Sequence, residues 1–338
     1  MIKNTGIIAA LGAMSGTSLD GVDAAIVYTD GVNIAEFGKT DYHAYTLTEA
    51  RVLKNALGRW PHESLDETAQ LIETIHTKVL SGFIGAELIG FHGQTLAHDP
   101  LNARTHQCGD GQVLADILNL PVVWDFRSAD LKLGGQGAPL APFYHFALAK
   151  WLKADAPIND LMMDRLGQPF DNAGAVAAKG IVNDQVIVEF LENSYFNRMP
   201  PKSLDRDAFT NLSLAVSNLT TSDAAATLTA AVAISVSKAL RFCPITPTKI
   251  LVSGGGRKNQ TLMKMLAAKL DMPILPVEEV GLDGDMLEAQ AFAFLAVRVV
   301  RGLPTSCEGT TGVRAAVSGG TISWPPERNG IIKVKMEK

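Results

Sequence analysis

The stretch Met14-Ser15-Gly16-Thr17-Ser18-Leu19-Asp20-Gly21-Val22-Asp23 constrains this chain most. It lies between two apolar runs, Ile7-Ile8-Ala9-Ala10-Leu11 and Ala24-Ala25-Ile26-Val27-Tyr28. That order reads as strand, tight polar turn, strand. Gly16 and Gly21 let backbone N–H groups approach an anion closely. Ser15, Thr17 and Ser18 add donors. Asp20 and Asp23 would repel a bare phosphate but suit Mg²⁺, directly or through water. The stretch is therefore a phosphate-and-metal loop or a plain polar turn.

The remaining pattern is mixed α/β. Strands are expected over 6–13, 22–28 and 32–37, with Asp30-Gly31 as a two-residue hairpin turn. Helices are expected over 47–57 and 65–83. In the second, Leu71, Ile72, Ile75, Val79 and Leu80 recur at the spacing of one apolar face. A short strand over 87–91 runs into His92-Gly93-Gln94-Thr95, read as a loop. A helix over 110–118, a strand over 121–124 and a helix through Trp151 follow. From 159 to 240 the pattern is mostly helical, most clearly over 224–240. A buried strand over 249–252, a helix over 259–270, a strand over 273–276 and a helix over 285–300 close the reading. No strand is legible between Trp151 and Lys249, which is odd for a domain built on a sheet.

Composition removes several function classes. A chain of 338 residues with 47% hydrophobic and 19% charged residues has ample core for one large or two medium domains. A net charge of −5, with no block of like charges, argues against nucleic acid or an anionic membrane as main partner. The three cysteines, Cys108, Cys243 and Cys307, are scattered and fit a reducing compartment rather than a disulfide framework. No apolar run approaches the ~18 residues of a membrane span. The first residues lack the apolar region of a signal peptide, so cytoplasmic residence is expected. No HExxH, CxxC or zinc-spaced His/Cys cluster is present.

Three further loops sit where strands end, which is where open α/β sheets bind ligands. His92-Gly93-Gln94-Thr95 offers a ring nitrogen, an amide and a hydroxyl, or is a capped loop. Asp125-Phe126-Arg127-Ser128-Ala129-Asp130 precedes Gly134-Gly135-Gln136-Gly137. There Arg127 can grip a carboxylate or phosphate in bidentate fashion, and Asp125 and Asp130 can accept sugar hydroxyls. Ser253-Gly254-Gly255-Gly256-Arg257-Lys258-Asn259 follows a buried strand and suits a nucleotide, although it is not a GxGxxG motif. Pro200-Pro201-Lys202-Ser203 with Arg206 forms a stiff basic turn. Asp285 and Glu288 have the spacing of a helix cap, with a substrate-facing carboxylate as the rival reading of Glu288.

In this order the loops resemble the anhydro-N-acetylmuramic acid kinase family. The stretches are MSGTSLDGVD at 14–23, GFHGQT at 90–95, DFRSAD with GGQGAPL at 125–140, MPPKSLDRDAF at 199–209, SGGGRKN at 253–259 and GDMLEAQAFAFLAVR at 284–298. The resemblance implies a two-domain actin-like ATPase (ribonuclease H-like) fold with an interdomain cleft. Its domains would span 1–140 and 141–338. It implies an enzyme that uses ATP, Mg²⁺ and water to convert 1,6-anhydro-N-acetylmuramic acid to N-acetylmuramic acid 6-phosphate in cell-wall recycling. Carried over by motif, Gly16, Thr17, Ser18, Leu19, Asp20, Gly21, Val22 and Asp23 would bind the ATP phosphates, with Asp20 on the metal. Gly254, Gly255, Gly256 and Asn259 would border the adenosine. His92, Arg127, Asp130 and Glu288 would face the sugar. The partners implied are the amino sugar and ATP, with a homodimer left open.

One part of the family pattern is missing. A glycine-rich segment like NIGGIAN and then a DTGPGN-like motif should follow the Trp151 helix, the second carrying the expected catalytic carboxylate. Neither is present, and the general base is left unassigned. Either the chain lacks a second-domain hairpin near 153–157, or residues are left out between Ala154 and Asp155. A normal Cα spacing of about 3.8 Å through 153–157 would favour the first. Another actin-fold sugar kinase, or an ATP-binding relative without catalysis, are the alternatives.

Overall fold

The computed structural model describes residues 5–145, 161–162, 165–168, 170–199, 210–243 and 245–326. Strands β1 (Ile8–Ser15), β2 (Gly21–Thr29) and β3 (Ile34–Ala44) form an antiparallel meander. Helices α1 (Leu47–Ala56) and α2 (Asp66–Leu80) follow, then β4 (Leu88–Asp99), β5 (Arg104–Cys108), α3 (Gly111–Leu118) and β6 (Val122–Trp124). Strand β1 is buried at every position, as a central strand covered on both faces must be. It pairs in parallel with β4, and β4 in parallel with β6.

Short helices α4 (Ser128–Lys132) and α5 (Pro142–His145) end the first part. The second part contains α6 (Asp184–Leu191), α7 (Thr210–Ala215), α8 (Thr221–Ala239), β7 (Ile250–Val252), α9 (Gln260–Lys269) and β8 (Ile274–Pro276). Then come α10 (Leu287–Val300), α11 (Glu308–Thr311) and β9 (Thr321–Ser323). The large sheet runs β3-β2-β1-β4-β6-β9, with β5 turned back on β4. The second sheet is the parallel pair β7-β8. This is a mixed α/β architecture.

The large sheet is covered on both faces. Leu53, Ile72, Ile75, Val79 and Leu114 of α1, α2 and α3 pack on Leu11, Val22, Ile26 and Phe91. Phe292, Leu295, Ala296 and Val299 of α10 pack with Ile8, Ala10, Val27 and Leu88. Helix α10 comes so near that a Cβ on Gly12 would lie 1.8 Å from the Ala289 carbonyl oxygen. One on Gly90 would lie 2.2 Å from that of Phe292. Only glycine permits that approach. A second core gathers Leu228, Val232 and Val236 of α8 with Ile250, Val252, Leu262 and Leu266. The segment Thr221–Phe242 is long and apolar enough to cross a membrane, yet its apolar side chains supply this core.

Several expectations shift. His92-Gly93-Gln94-Thr95 is not a loop but the middle of β4, which continues to Asp99 and pairs with β5. β5 escaped notice because its buried positions, His106 and Cys108, alternate with half-buried Thr105 and Gln107 in a mostly polar run. Asp30-Gly31 is not a two-residue turn. The Asp30 carboxylate accepts from Val32 and Asn33 N–H at 2.8 and 2.6 Å, closing a longer Asx-type turn. The expected division at 140 meets a chain that returns, because α10 and β9 lie on the first sheet. The 153–157 junction and the basic turn at 200–203 lie outside the described residues.

Candidate active site

The turn between β1 and β2 is held from beneath. Leu19 takes a left-handed φ of 57°, and its N–H donates to the Gly16 carbonyl at 3.2 Å. The Asp20 carbonyl accepts from Tyr45 N–H at 2.9 Å and from the Tyr42 hydroxyl at 2.8 Å, both presented by the end of β3 and the turn after it. Ser15, the last residue of β1, hydrogen-bonds the Tyr45 hydroxyl at 2.6 Å and donates to the Gln94 amide oxygen. The Gln94 amide donates to the Gly16 carbonyl at 3.3 Å. Burial pushes the Tyr45 hydroxyl up to about 12, so it stays protonated.

Ser18 donates to the exposed Asp20 carboxylate at 2.9 Å. Burial first, and then the charges of Asp20, Asp23 and Asp285, push the Tyr42 hydroxyl up to about 12. Gly21 also has a packing role. A Cβ there would lie 2.4 Å from the His43 carbonyl oxygen, so its bareness lets β3 pack. Among the described residues no three His, Cys, Asp or Glu side chains form a metal cage. Asp20 alone still fits Mg²⁺, which takes one or two protein carboxylates and fills its shell with phosphate and water oxygens.

A second group forms behind β6. His92 Nδ1–H donates to the Gly93 carbonyl at 2.8 Å, and its Nε2 accepts from Arg127 Nε and Nη2 at 3.1 and 3.0 Å. Arg127 Nη1 donates to the Gly137 carbonyl at 2.7 Å. Burial pushes the guanidinium down to about 10, while Glu288 first and Asp130 second favour its charge. The rings of His92 and Phe292 lie 4.4 Å apart, and Phe126 meets Phe292 at 5.2 Å. Asp130 is fully buried; it accepts from Gly137 N–H at 2.6 Å and from the Thr311 hydroxyl at 2.5 Å. Those bonds fold the glycine loop over Arg127.

The third group follows β7. Gly254 has φ of 68°, and a Cβ there would meet nothing within 4 Å. Gly255–Lys258 makes one 3-10 turn, and the Asn259 side chain caps α9 by accepting from Leu262 N–H at 2.9 Å. Arg257 is nearly buried. It donates to Glu278 at 2.6 Å, to the Gly254 carbonyl at 2.7 Å and to both oxygens of Asp285 at 2.8 and 2.9 Å. These bonds and Lys258 hold the Asp285 carboxyl down at about 2. Asp285 is therefore not the cap of α10; that position is Met286, with no side-chain bond. Glu288 stands on the first turn of α10.

The structure thus brings His92, Arg127, Asp130 and Glu288 into one neighbourhood. It puts 16–23 and 254–256 at two strand ends, with Asp285 near both groups. Tyr42, Tyr45, Arg257, Asp285 and Thr311 were missed as site-shaping residues. Nothing in the local pattern marks Tyr42, Tyr45 or Thr311, and Arg257 and Asp285, though inside motifs, show their roles only through contacts with each other and with Glu278.

The sequence pattern of the family described as anhydro-N-acetylmuramic acid kinase matches residues 8–158 and again 154–325. The anhydro-N-acetylmuramic acid kinase of Cereibacter sphaeroides is 52% identical over 365 aligned positions, covering 96% of this chain and 98% of the relative. The like-named protein of Roseobacter denitrificans is 51% identical, covering 96% of each chain, and that of Rhodospirillum rubrum 41%, again covering 96% of each. Of those 365 positions this chain supplies 96% of its 338 residues, about 324, so about 40 positions of the Cereibacter relative have no counterpart here. The activator of 2-hydroxyisocaproyl-CoA dehydratase from Clostridium difficile with bound ADPNP aligns at TM-score 0.37 and 12% identity, over 86% of this chain and 94% of that one, too distant to bear on the site. On the family pattern and these relatives, the chain belongs to the anhydro-N-acetylmuramic acid kinase family.

Proposed function

We propose that this kinase uses ATP and water to open 1,6-anhydro-N-acetylmuramic acid and to phosphorylate its O6, giving N-acetylmuramic acid 6-phosphate during cell-wall recycling in the cytoplasm. The single observation that supports it best is the half-buried Arg127 fork, aligned by His92 and Gly137 with the Glu288 charge close enough to act on it. Such a fork suits the carboxylate of a muramic acid. Glu288 suits a hydroxyl or amide donor of the same sugar. Asp130, with both oxygens engaged, acts by shaping the loop that carries Gly137.

In the proposed reaction the substrate's O6 is an ether oxygen with no proton to lose. Water attacks C1, the C1–O6 bond breaks, and its electron pair goes to O6, which takes the γ-phosphoryl group as ADP leaves. The water's proton needs a carboxylate base. That base is expected in the family segment missing at 154–155. The N–H and hydroxyl groups of Gly16 to Asp23 would hold the transferring phosphate, the task that dominates phosphoryl transfer. Asp20 would hold Mg²⁺, which when bound neutralises phosphate charge.

Incubation with ATP, Mg²⁺ and the anhydro sugar in ¹⁸O-water tests the proposal. The expected product is a 6-phosphate carrying label at C1. Phosphate transfer without that label would exclude the hydrolytic route and favour another sugar as substrate.

A further inference from the structure

Arg257 belongs to none of the groups assigned above to ATP, metal or sugar, yet it ties three segments together. Its Nη1 donates to the Gly254 carbonyl of the nucleotide loop, and its Nε to Glu278 in the turn after β8. Its two Nη atoms clamp Asp285, three residues before Glu288. The same two loops are joined by Gly254 N–H donating to the Gly284 carbonyl at 2.8 Å. The guanidinium also fills the space beside Gly284, where a Cβ would lie 2.4 Å from Arg257 Nε. Asp285 acts on Tyr42 of the phosphate loop's support as well.

Three consecutive glycines have more backbone freedom to lose than any other triplet. A nucleotide lying on them selects one arrangement of the Gly254 carbonyl. Arg257, bonded to that carbonyl and to Asp285, would pass the arrangement to the turn that precedes Glu288. The sugar then meets a carboxylate already set in place, so its ordering cost is lower. Lys258 does not duplicate this link, since it reaches a single oxygen of Asp285.

We propose that Arg257 is a positioning residue that couples nucleotide binding to sugar binding. The proposal rests on assigning 254–256 to the nucleotide and Glu288 to the sugar. Binding coupling is reciprocal, so either ligand reports it.

The test is calorimetry on the full chain with ADP plus Mg²⁺, and with 1,6-anhydro-N-acetylmuramic acid, each alone and together. In the unaltered chain ADP should tighten sugar binding at least about fivefold, the lower end of ordinary coupling. Arg257→Gln should cut that factor below about twofold while leaving sugar affinity without ADP within about twofold. Arg257→Lys should also uncouple, because it keeps the charge but loses the fork. If Arg257→Gln fails to fold, Asp285→Asn breaks the charged clamp while sparing the bonds to Gly254 and Glu278, and coupling should fall there too. Undiminished coupling in these variants, or none in the unaltered chain, overturns the proposal. Absence of sugar or ADP binding in the unaltered chain overturns the functional assignment beneath it instead.

Discussion

His92 Nε2 accepts two N–H groups of Arg127, at 3.1 and 3.0 Å. Arginine only donates, so the imidazole is neutral and carries its proton on Nδ1, which donates to the Gly93 carbonyl. His92 therefore stands behind the guanidinium and fixes its plane.

His92→Ala should weaken binding of the anhydro sugar about tenfold or more, since losing a hydrogen bond to a charged group costs about 1.5–3 kcal/mol. His92→Gln restores an acceptor oxygen and should recover part of the loss. Calorimetry with sugar and with ADP separates the effects. An equal loss for both ligands would count against a sugar-side role.

Gly12→Ala and Gly90→Ala should each destabilise the fold by about 3 kcal/mol or more, at the upper end of overpacking, because the obstacle is helix backbone. A Cβ at these sites would sit 1.8 and 2.2 Å from carbonyl oxygens of α10. The displaced helix carries Glu288, so sugar affinity should fall with the melting temperature. Melting curves unchanged within about 1 °C would refute the contact.

How much of this was legible in sequence follows from the range of each interaction. The strand-turn-strand at 8–29 and the apolar face of α2 were legible, because hydrophobic period and turn residues are local signals. β5 was not, since its buried residues are a histidine and a cysteine in a polar run. The motifs placed Arg127 and Glu288 at loop and helix starts. What they could not give was Thr311 bonding Asp130 from 181 residues away. Nor could they show that Asp285 spends its carboxylate on Arg257 rather than on capping α10. Gly12 and Gly90 looked like ordinary strand residues until the helix above them was known.

His76 is fully buried in α2, and its ring Nε2 has no hydrogen-bond partner. Burial pushes it down to about 4. A folded pKa below the unfolded value means the unfolded chain binds more protons as pH falls. The cost is absent above about 6.5, grows on acidification and levels off near 4, reaching about 3 kcal/mol. Urea unfolding between pH 7 and 4 should show this acid limb. His76→Leu should flatten it, and an unchanged limb in that variant would assign the effect to other groups.

Gln94 links Ser15 to the Gly16 carbonyl. Gln94→Ala leaves both unsupported and should loosen the loop, weakening Mg²⁺-ADP binding by about three- to tenfold, the worth of one or two neutral hydrogen bonds. Sugar affinity without nucleotide should hold. If nucleotide affinity is untouched, the loop does not depend on β4.

The remaining prediction concerns the junction at 154–155. The family pattern restarts at 154 after reaching 158, and about 40 positions of the Cereibacter relative lack a counterpart. Among the described residues the second sheet is a two-stranded parallel pair, whereas the first sheet precedes its parallel strands with an antiparallel meander. The missing positions would supply the matching strands, the second phosphate contact and the carboxylate base. The loops at 16–23 and 254–256 still offer binding groups, whereas turnover needs the base, ordinarily worth about 10²- to 10⁴-fold. The 338-residue chain should therefore bind Mg²⁺-ADP and the sugar yet turn over at least about a hundredfold more slowly than the Cereibacter relative. Inserting that relative's segment equivalent to the break in the family pattern between Ala154 and Asp155 should restore the rate. Equal turnover by the 338-residue chain would mean that the base stands elsewhere, and Glu288 would be the first carboxylate to replace.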